Sequence, residues 1–194
     1  MGWFIFIVGL VLFFGIHSVR IVAPDRRMRF IGDRGMNAWR GLYSVVAIIG
    51  LILLIWGYGW ARQTAPVLYG MNLSLVPVTA ILMFFAFIFL ASFHMPAGRI
   101  KATLKHPMLV AIKTWAVAHL LINGDVASIV LFGSFLVWAV ADRISEKRRF
   151  KAGITKNPVF ISYRFDVIAI VVGVVLYGLF VWKLHAILIA PLPF

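Results

Sequence analysis

Six apolar runs, separated by polar or basic segments, set the pattern of the chain: Trp3–Ala23, Trp39–Ala61, Leu75–Phe93, Pro107–Ile122, Val126–Ala141 and Tyr163–His185. Runs of about 20 apolar residues are what a helix needs to cross a hydrocarbon core roughly 30 Å thick. The fourth and fifth runs are shorter, and as helices each reaches only about 24 Å. The pattern predicts an all-α integral membrane protein, a bundle of six transmembrane helices with residues 1–194 forming a single transmembrane domain.

The punctuation between the runs agrees. Pro24 stops the first run, and Asp25–Asn37 reads as a basic loop holding a short amphipathic piece on the inner leaflet. Arg62–Ser74 reads as a polar outer loop, and Asp142–Ser162 as the most charged loop of the chain. Asn123-Gly124 is a turn dipeptide, and Asp125 is placed to cap the helix that follows. Pro107 suits the first turn of a helix, where its missing N–H costs nothing, with His106 near the cap. Gly41, Gly50, Gly57 and Gly59 of the second run permit close helix approach.

Composition sharpens this picture. The 194 residues are 63% hydrophobic and only 13% charged, where a soluble domain carries roughly 25% charge. The net charge of +13 raises the question of nucleic acid. Its distribution answers it: of 19 Lys and Arg, five lie in Pro24–Arg40, three in Met95–His106 and six in Asp142–Ser162. That is the positive-inside asymmetry of a multispan protein, so the bases face lipid headgroups and no nucleic acid partner is expected. Six spans with these loops inside place both termini on the outer side. The first run has no basic n-region or small-residue cleavage pattern, so it reads as a retained helix. With no cysteine, disulfides, thiolate metal sites and cysteine nucleophiles are excluded.

Five histidines are then the soft ligands available, and imidazole suits zinc, copper, iron and haem. No H-E-x-x-H spacing is present, and acidic residues are few. Haem asks less, one or two axial histidines in an apolar pocket. His106 and His119 are separated by about 20 Å along one helix and roughly 220° around it, so they cannot share a metal. Lys113 shares a face with His106, whereas His119 shares one with Trp115 and Asn123. His119 lies some 18 Å from the inner end of its span, with no easy route to water. His17 lies in the inner half of the first span, roughly 21 Å from its start. His94 and His106 bracket a basic loop with Arg99, Lys101 and Lys105. Capping or an interfacial role is their simplest reading, and neutralising a ligand's carboxylates or phosphates is the other. His185 reads as an interfacial residue at the outer end.

The stretches Gly15-Ile-His-Ser-Val-Arg20, Trp39-Arg-Gly-Leu-Tyr-Ser44 and Lys105-His-Pro-Met108 onward to Asn123-Gly-Asp125 resemble the NnrU family of bacterial membrane proteins along nearly the whole chain. That family takes its name from an association with nitrite and nitric oxide reduction. The chain is also similar to the plant zeta-carotene isomerases, membrane enzymes that use haem b for a cis–trans isomerisation. The resemblance implies a multi-pass protein of the bacterial inner membrane that carries haem b, with His119 first and His17 second as axial-ligand candidates. His106 or His94 would be the inner-side substitutes, with Trp115 and Lys113 near the cofactor. It implies a redox-linked isomerase of an apolar polyene or a factor linked to nitric oxide and nitrite reduction, with an apolar small molecule as substrate. Val19-Arg20 departs from the isomerase pattern.

Two other classes fit parts of the chain. Lys105-His-Pro-Met108 before an apolar helix also resembles the start of the cofactor site in isoprenylcysteine carboxyl methyltransferases. The acidic pair expected there is reduced to Glu146, followed by Lys147-Arg148-Arg149. An accessory subunit for a respiratory partner protein, with no cofactor of its own, is the non-enzymatic alternative.

Overall fold

The structure, a computed structural model, describes residues 1–188. The helices are α1 (Gly2–Val22), α2 (Pro24–Gln63), α3 (Val76–His94), α4 (Arg99–Leu104), α5 (Pro107–Leu120), α6 (Val126–Lys151), α7 (Arg164–Leu179) and α8 (His185–Leu188). A 3-10 turn, Leu73–Leu75, leads into α3, and a π-helical turn, Phe180–Leu184, joins α7 to α8. Among the described residues there is no β-strand, only an isolated antiparallel bridge between Val67 and Asp125.

Of two basic segments expected as loops, one is helical throughout and the other over its first half. Pro24 does not merely end α1; it sits in the first turn of α2, followed by Asp25 at the positive end of the helix dipole. α2 is then continuous to Gln63 apart from a break at Gly35, where φ is +84°. The expected loop Asp142–Ser162 begins ten residues later than its charge suggests, because α6 runs on to Lys151. Arg149 holds that extension by reaching back one and two turns, to Ser145 Oγ (2.8 Å), Glu146 Oε1 (2.5 Å) and Asp142 Oδ1 (3.5 Å). The helix stops at Gly153, φ +72°. There the Gly153 N–H donates to Phe150 O (3.0 Å) and the Ile154 N–H to Arg149 O (2.9 Å). This is the paired hydrogen bonding of a Schellman end, which needs a left-handed residue and so favours glycine.

The described chain divides into two compact units, Met1–Leu68 with Asp125–Leu131, and Tyr69–Gly124 with the residues from Phe132 onward. In the first, α1 and α2 pack antiparallel. The positions facing each other are Gly57 and Phe6, Leu54 and Gly9, and Gly50 and Phe13. The glycines stand where one helix's backbone meets the other. Of the four expected at helix contacts, Gly50 and Gly57 are used, while a Cβ on Gly41 or Gly59 would meet nothing within 4 Å. In the second unit α3 packs against both α5 and α7. Gly173 admits Ile88, whose Cα would lie 2.7 Å from a Cβ there. Thr79 Oγ1 donates to Ala118 O at 3.2 Å, so a polar side chain buried between helices is satisfied without a second polar partner.

Among the described residues, five helical segments are long and apolar enough to cross a membrane: Gly2–Val22, Pro24–Gln63, Leu73–His94, Val126–Lys151 and Arg164–Leu184. α5 is apolar but shorter. Many of the apolar side chains face outward, among them Val167, Ile170, Val171, Val174 and Val175 on α7. Water penalises such a surface and lipid does not.

Candidate functional site

The second unit places His119 near the C-terminal end of α5, half-buried among aromatic rings. Its Nδ1 donates to Trp115 O, four residues back, at 2.9 Å. A carbonyl can only accept, so this bond selects the tautomer with hydrogen on Nδ1 and the lone pair on Nε2. One face of the ring stacks on Phe132 at a centroid distance of 4.6 Å and 26°. The Trp115 ring lies 5.3 Å away and packs edge-on against Phe132 and Phe135, 5.0 Å from each. Asn123 closes the helix end by donating Nδ2 to His119 O at 2.9 Å. The sequence pointed to His119, Trp115 and Asn123 but not to Phe132 and Phe135, which α6 supplies after the turn.

That turn is covered. Tyr69 Oη donates to Leu120 O and, at 3.0 Å, to Asn123 O. A Cβ on Gly124 would lie 2.5 Å from the Tyr69 ring. Tyr69 sits in the stretch read only as a polar loop, and nothing in its spacing marks it.

In the first unit His17 is held in the same way. Its Nδ1 donates to Phe13 O at 2.6 Å, and the ring lies against Phe13 (4.2 Å) and Tyr43 (5.2 Å). At the other end of this unit Asp125 caps α6 as expected, accepting from the Ser128 N–H (2.8 Å) and Ser128 Oγ (2.6 Å). Arg62 Nε pairs with Asp125 Oδ2 at 3.2 Å, and Tyr58 Oη meets Ser128 Oγ at 2.8 Å. This polar knot fixes the start of α6 against α2.

The remaining sequence candidates are dispersed. His106 stands at the N-cap of α5 but makes no side-chain capping bond. Burial holds its imidazole below the usual histidine range; the Arg143 guanidinium pushes the same way, and Glu146 and Asp142 oppose it. Lys113 is half-buried and forms no ion pair among the described residues. His94 is exposed at the end of α3, and His185 lies near Phe180. Lys101 is committed to structure, its Nζ donating to Phe93 O and Met95 O at 2.7 Å each. Among the described residues no three or more His, Asp or Glu side chains gather where they could hold a metal ion. A chelating site built from carboxylates and imidazoles is not what these residues offer. A single imidazole with its far nitrogen oriented by a backbone carbonyl is.

A chain whose described residues form an all-helical fold, with five membrane-length helices and outward-facing apolar surfaces, is a multi-pass membrane protein. Comparison with known families goes one step further. The chain belongs to the NnrU family, whose model, described as NnrU protein, matches residues 5–193. No curated protein and no solved structure matches it.

Proposed function

We propose that this is a haem-binding protein of the bacterial inner membrane, with His119 as its principal axial ligand and His17 as the next candidate. The observation that carries the reading is the setting of His119. Its Nδ1–H is anchored on Trp115 O and its face is packed on Phe132. Metal-ligating histidines characteristically donate their other ring N–H to a carbonyl or carboxylate, which fixes the tautomer and raises ligand basicity. His119 would bind iron through the in-plane lone pair of Nε2, which stacking on the ring face does not use. Trp115, Phe132 and Phe135, packed around the imidazole, would supply an apolar wall for a porphyrin. His17, with the same carbonyl anchor, satisfies the ligand chemistry equally. Bound haem b would supply a redox-active iron able to bind nitric oxide or polarise an apolar polyene. The protein's own part is to orient the imidazole and keep water out.

Protein expressed with ample haem and purified in detergent should show a Soret band that His119→Ala loses while remaining monodisperse. His17→Ala is read separately by the same band. Colourless wild-type protein would overturn the reading. The same preparations separate the alternatives. Binding of a methyl-donor cofactor by calorimetry would mark a methyltransferase-like enzyme, although Glu146 is already paired with Arg149 at 2.5 Å. Stoichiometric co-purification of a respiratory subunit with colourless protein would mark an accessory factor.

The proposed topology has six crossings, α5 being the short one, with both termini on the outer side and residues 1–194 acting as one domain. The distribution of bases supports it. Because the chain has no cysteine, single introduced thiols report sidedness cleanly. Asp33→Cys and Lys156→Cys should react with an impermeant maleimide only from the cytoplasmic side, and Gln63→Cys only from the opposite one. Labelling of all three from one side would rule this topology out.

A further inference from the structure

A basic concavity of the second unit lies where α5 begins and α6 ends. It encloses about 470 Å³ and is lined by Lys105, Arg143, Lys147, Lys151, Asn157 and Phe150. Four cations share one hollow, and its lining includes no carboxylate. The acids closest in sequence, Asp142 and Glu146, are turned to Arg149 at 3.5 and 2.5 Å. None of the four lining cations forms an ion pair among the described residues. Like charges held together without a counterion repel one another, so the hollow is electrostatically unfinished.

Its construction is not that of a casual surface cluster. Lys105 is the one non-glycine residue with positive φ among the described residues, at φ +65°, ψ −45°. The His106 N–H donates to Leu104 O across it at 2.7 Å. That is a three-residue γ-turn of the positive-φ kind, a strained conformation that proteins concentrate at functional sites. Lys147 and Lys151, one turn apart on α6, add two more ammonium groups, and Asn157 adds an amide that can donate. Converging cations and an amide donor suit the oxygens of a phosphate.

Depth says where such a phosphate would be met. The first 18 residues of α6, Val126 to Arg143, span about 27 Å as a helix, close to the roughly 30 Å of a hydrocarbon core. The cations after Arg143 therefore stand at headgroup level. Beside them the chain exposes Phe150, Ile154, Val159 and Ile161, apolar side chains suited to the same interface. We infer that the hollow lined by Lys105, Arg143, Lys147 and Lys151 is a binding site for a phosphate group. An anionic phospholipid headgroup and a soluble phosphate anion share that chemistry, and the arrangement is independent of any haem at His119.

The test uses the full chain, stripped of lipid in neutral detergent. In one arm, phosphatidylglycerol or phosphatidylcholine is added and lipid retention is read by native mass spectrometry. In the other, inorganic phosphate is titrated by calorimetry. Lys147 and Lys151 are both exposed, so the K147Q/K151Q double variant should fold. A cation near a lipid surface contributes about fivefold in affinity, so the double variant should lose roughly 25-fold. K156Q, in the connection just after α6 and outside the hollow, serves as the charge control and should change little. Selective retention of phosphatidylglycerol without heat from phosphate assigns a lipid; saturable heat from phosphate assigns a soluble anion. No binding in either arm, equal retention of phosphatidylcholine, or an equal loss in K156Q overturns the site.

Discussion

Gly57→Ala should destabilise the α1–α2 pair by about 1–3 kcal/mol, the range for overpacking a close contact, while Gly59→Ala, two residues on, should be neutral or stabilising. The two substitutions add the same methyl to the same helix. A Cβ on Gly57 would lie 2.8 Å from the Ile5 carbonyl carbon and closer still to the Phe6 backbone, whereas one on Gly59 meets nothing within 4 Å. Backbone cannot move aside as a flexible side chain can, so α1 must shift away from α2. The cost then spreads along the interface, because Gly9 and Gly50 depend on the same separation. At Gly59 only the intrinsic helix preference acts, and Ala is favoured over Gly by up to about 1 kcal/mol. Unfolding of detergent-solubilised variants by a graded SDS titration reads both signs. Equal effects at the two positions would show that close approach is not what holds this pair.

Those glycines also show what the sequence could and could not reveal. Gly41, Gly50, Gly57 and Gly59 are equivalent as symbols; only the partner helix decides which face is used. The spacing of seven between Gly50 and Gly57, matched by the seven between Phe6 and Phe13, is the periodicity of one continuous helix contact. It separates the two used glycines from the others once a partner is assumed. Asp125 was legible for a local reason. An N-cap acts within its own turn, and the Ser128 N–H it accepts is three residues away.

The limits of the segment Asp142–Ser162 are obscure in the sequence because charge density marks an exposed helix as well as a loop. The same Asp142, Glu146 and Arg149 are spaced to pair along a helix, and Gly153 marks the true end. For the site, Trp115 and His119 lie on one helix face and could be linked by periodicity. Phe132 could not be, because its contact depends on how α5 and α6 fold back on each other. Lys105 carried no signal, since lysine gives no warning of positive φ.

The largest single polar loss is expected at Asp166. This buried carboxylate projects from the first turn of α7 and accepts the backbone N–H of Arg99 at 2.6 Å and of Ile100 at 2.9 Å. Those are the first two N–H groups of α4, which have no acceptor within their own helix. α4 has no side-chain cap of its own, because its N-cap residue is Gly98. Asp166→Ala therefore removes two charge-assisted bonds and strands two donors, a loss of about 3 kcal/mol or more. Asp166→Asn should recover less than half of it, since one oxygen becomes an NH₂ that faces a donor. A structural consequence gives an independent check. A Cβ on Gly98 would sit 2.6 Å from the Asp166 carboxyl carbon, so Gly98→Ala should be costly in the native background. With Asp166→Ala already present, the two nearest of that Cβ's contacts disappear, and the backbone nitrogen of residue 166 at 2.9 Å remains. The double variant should then be more stable than the sum of the two losses implies, by roughly 1 kcal/mol or more of coupling. Strict additivity in the SDS titration would mean that Asp166 does not hold α4 through its N-terminus.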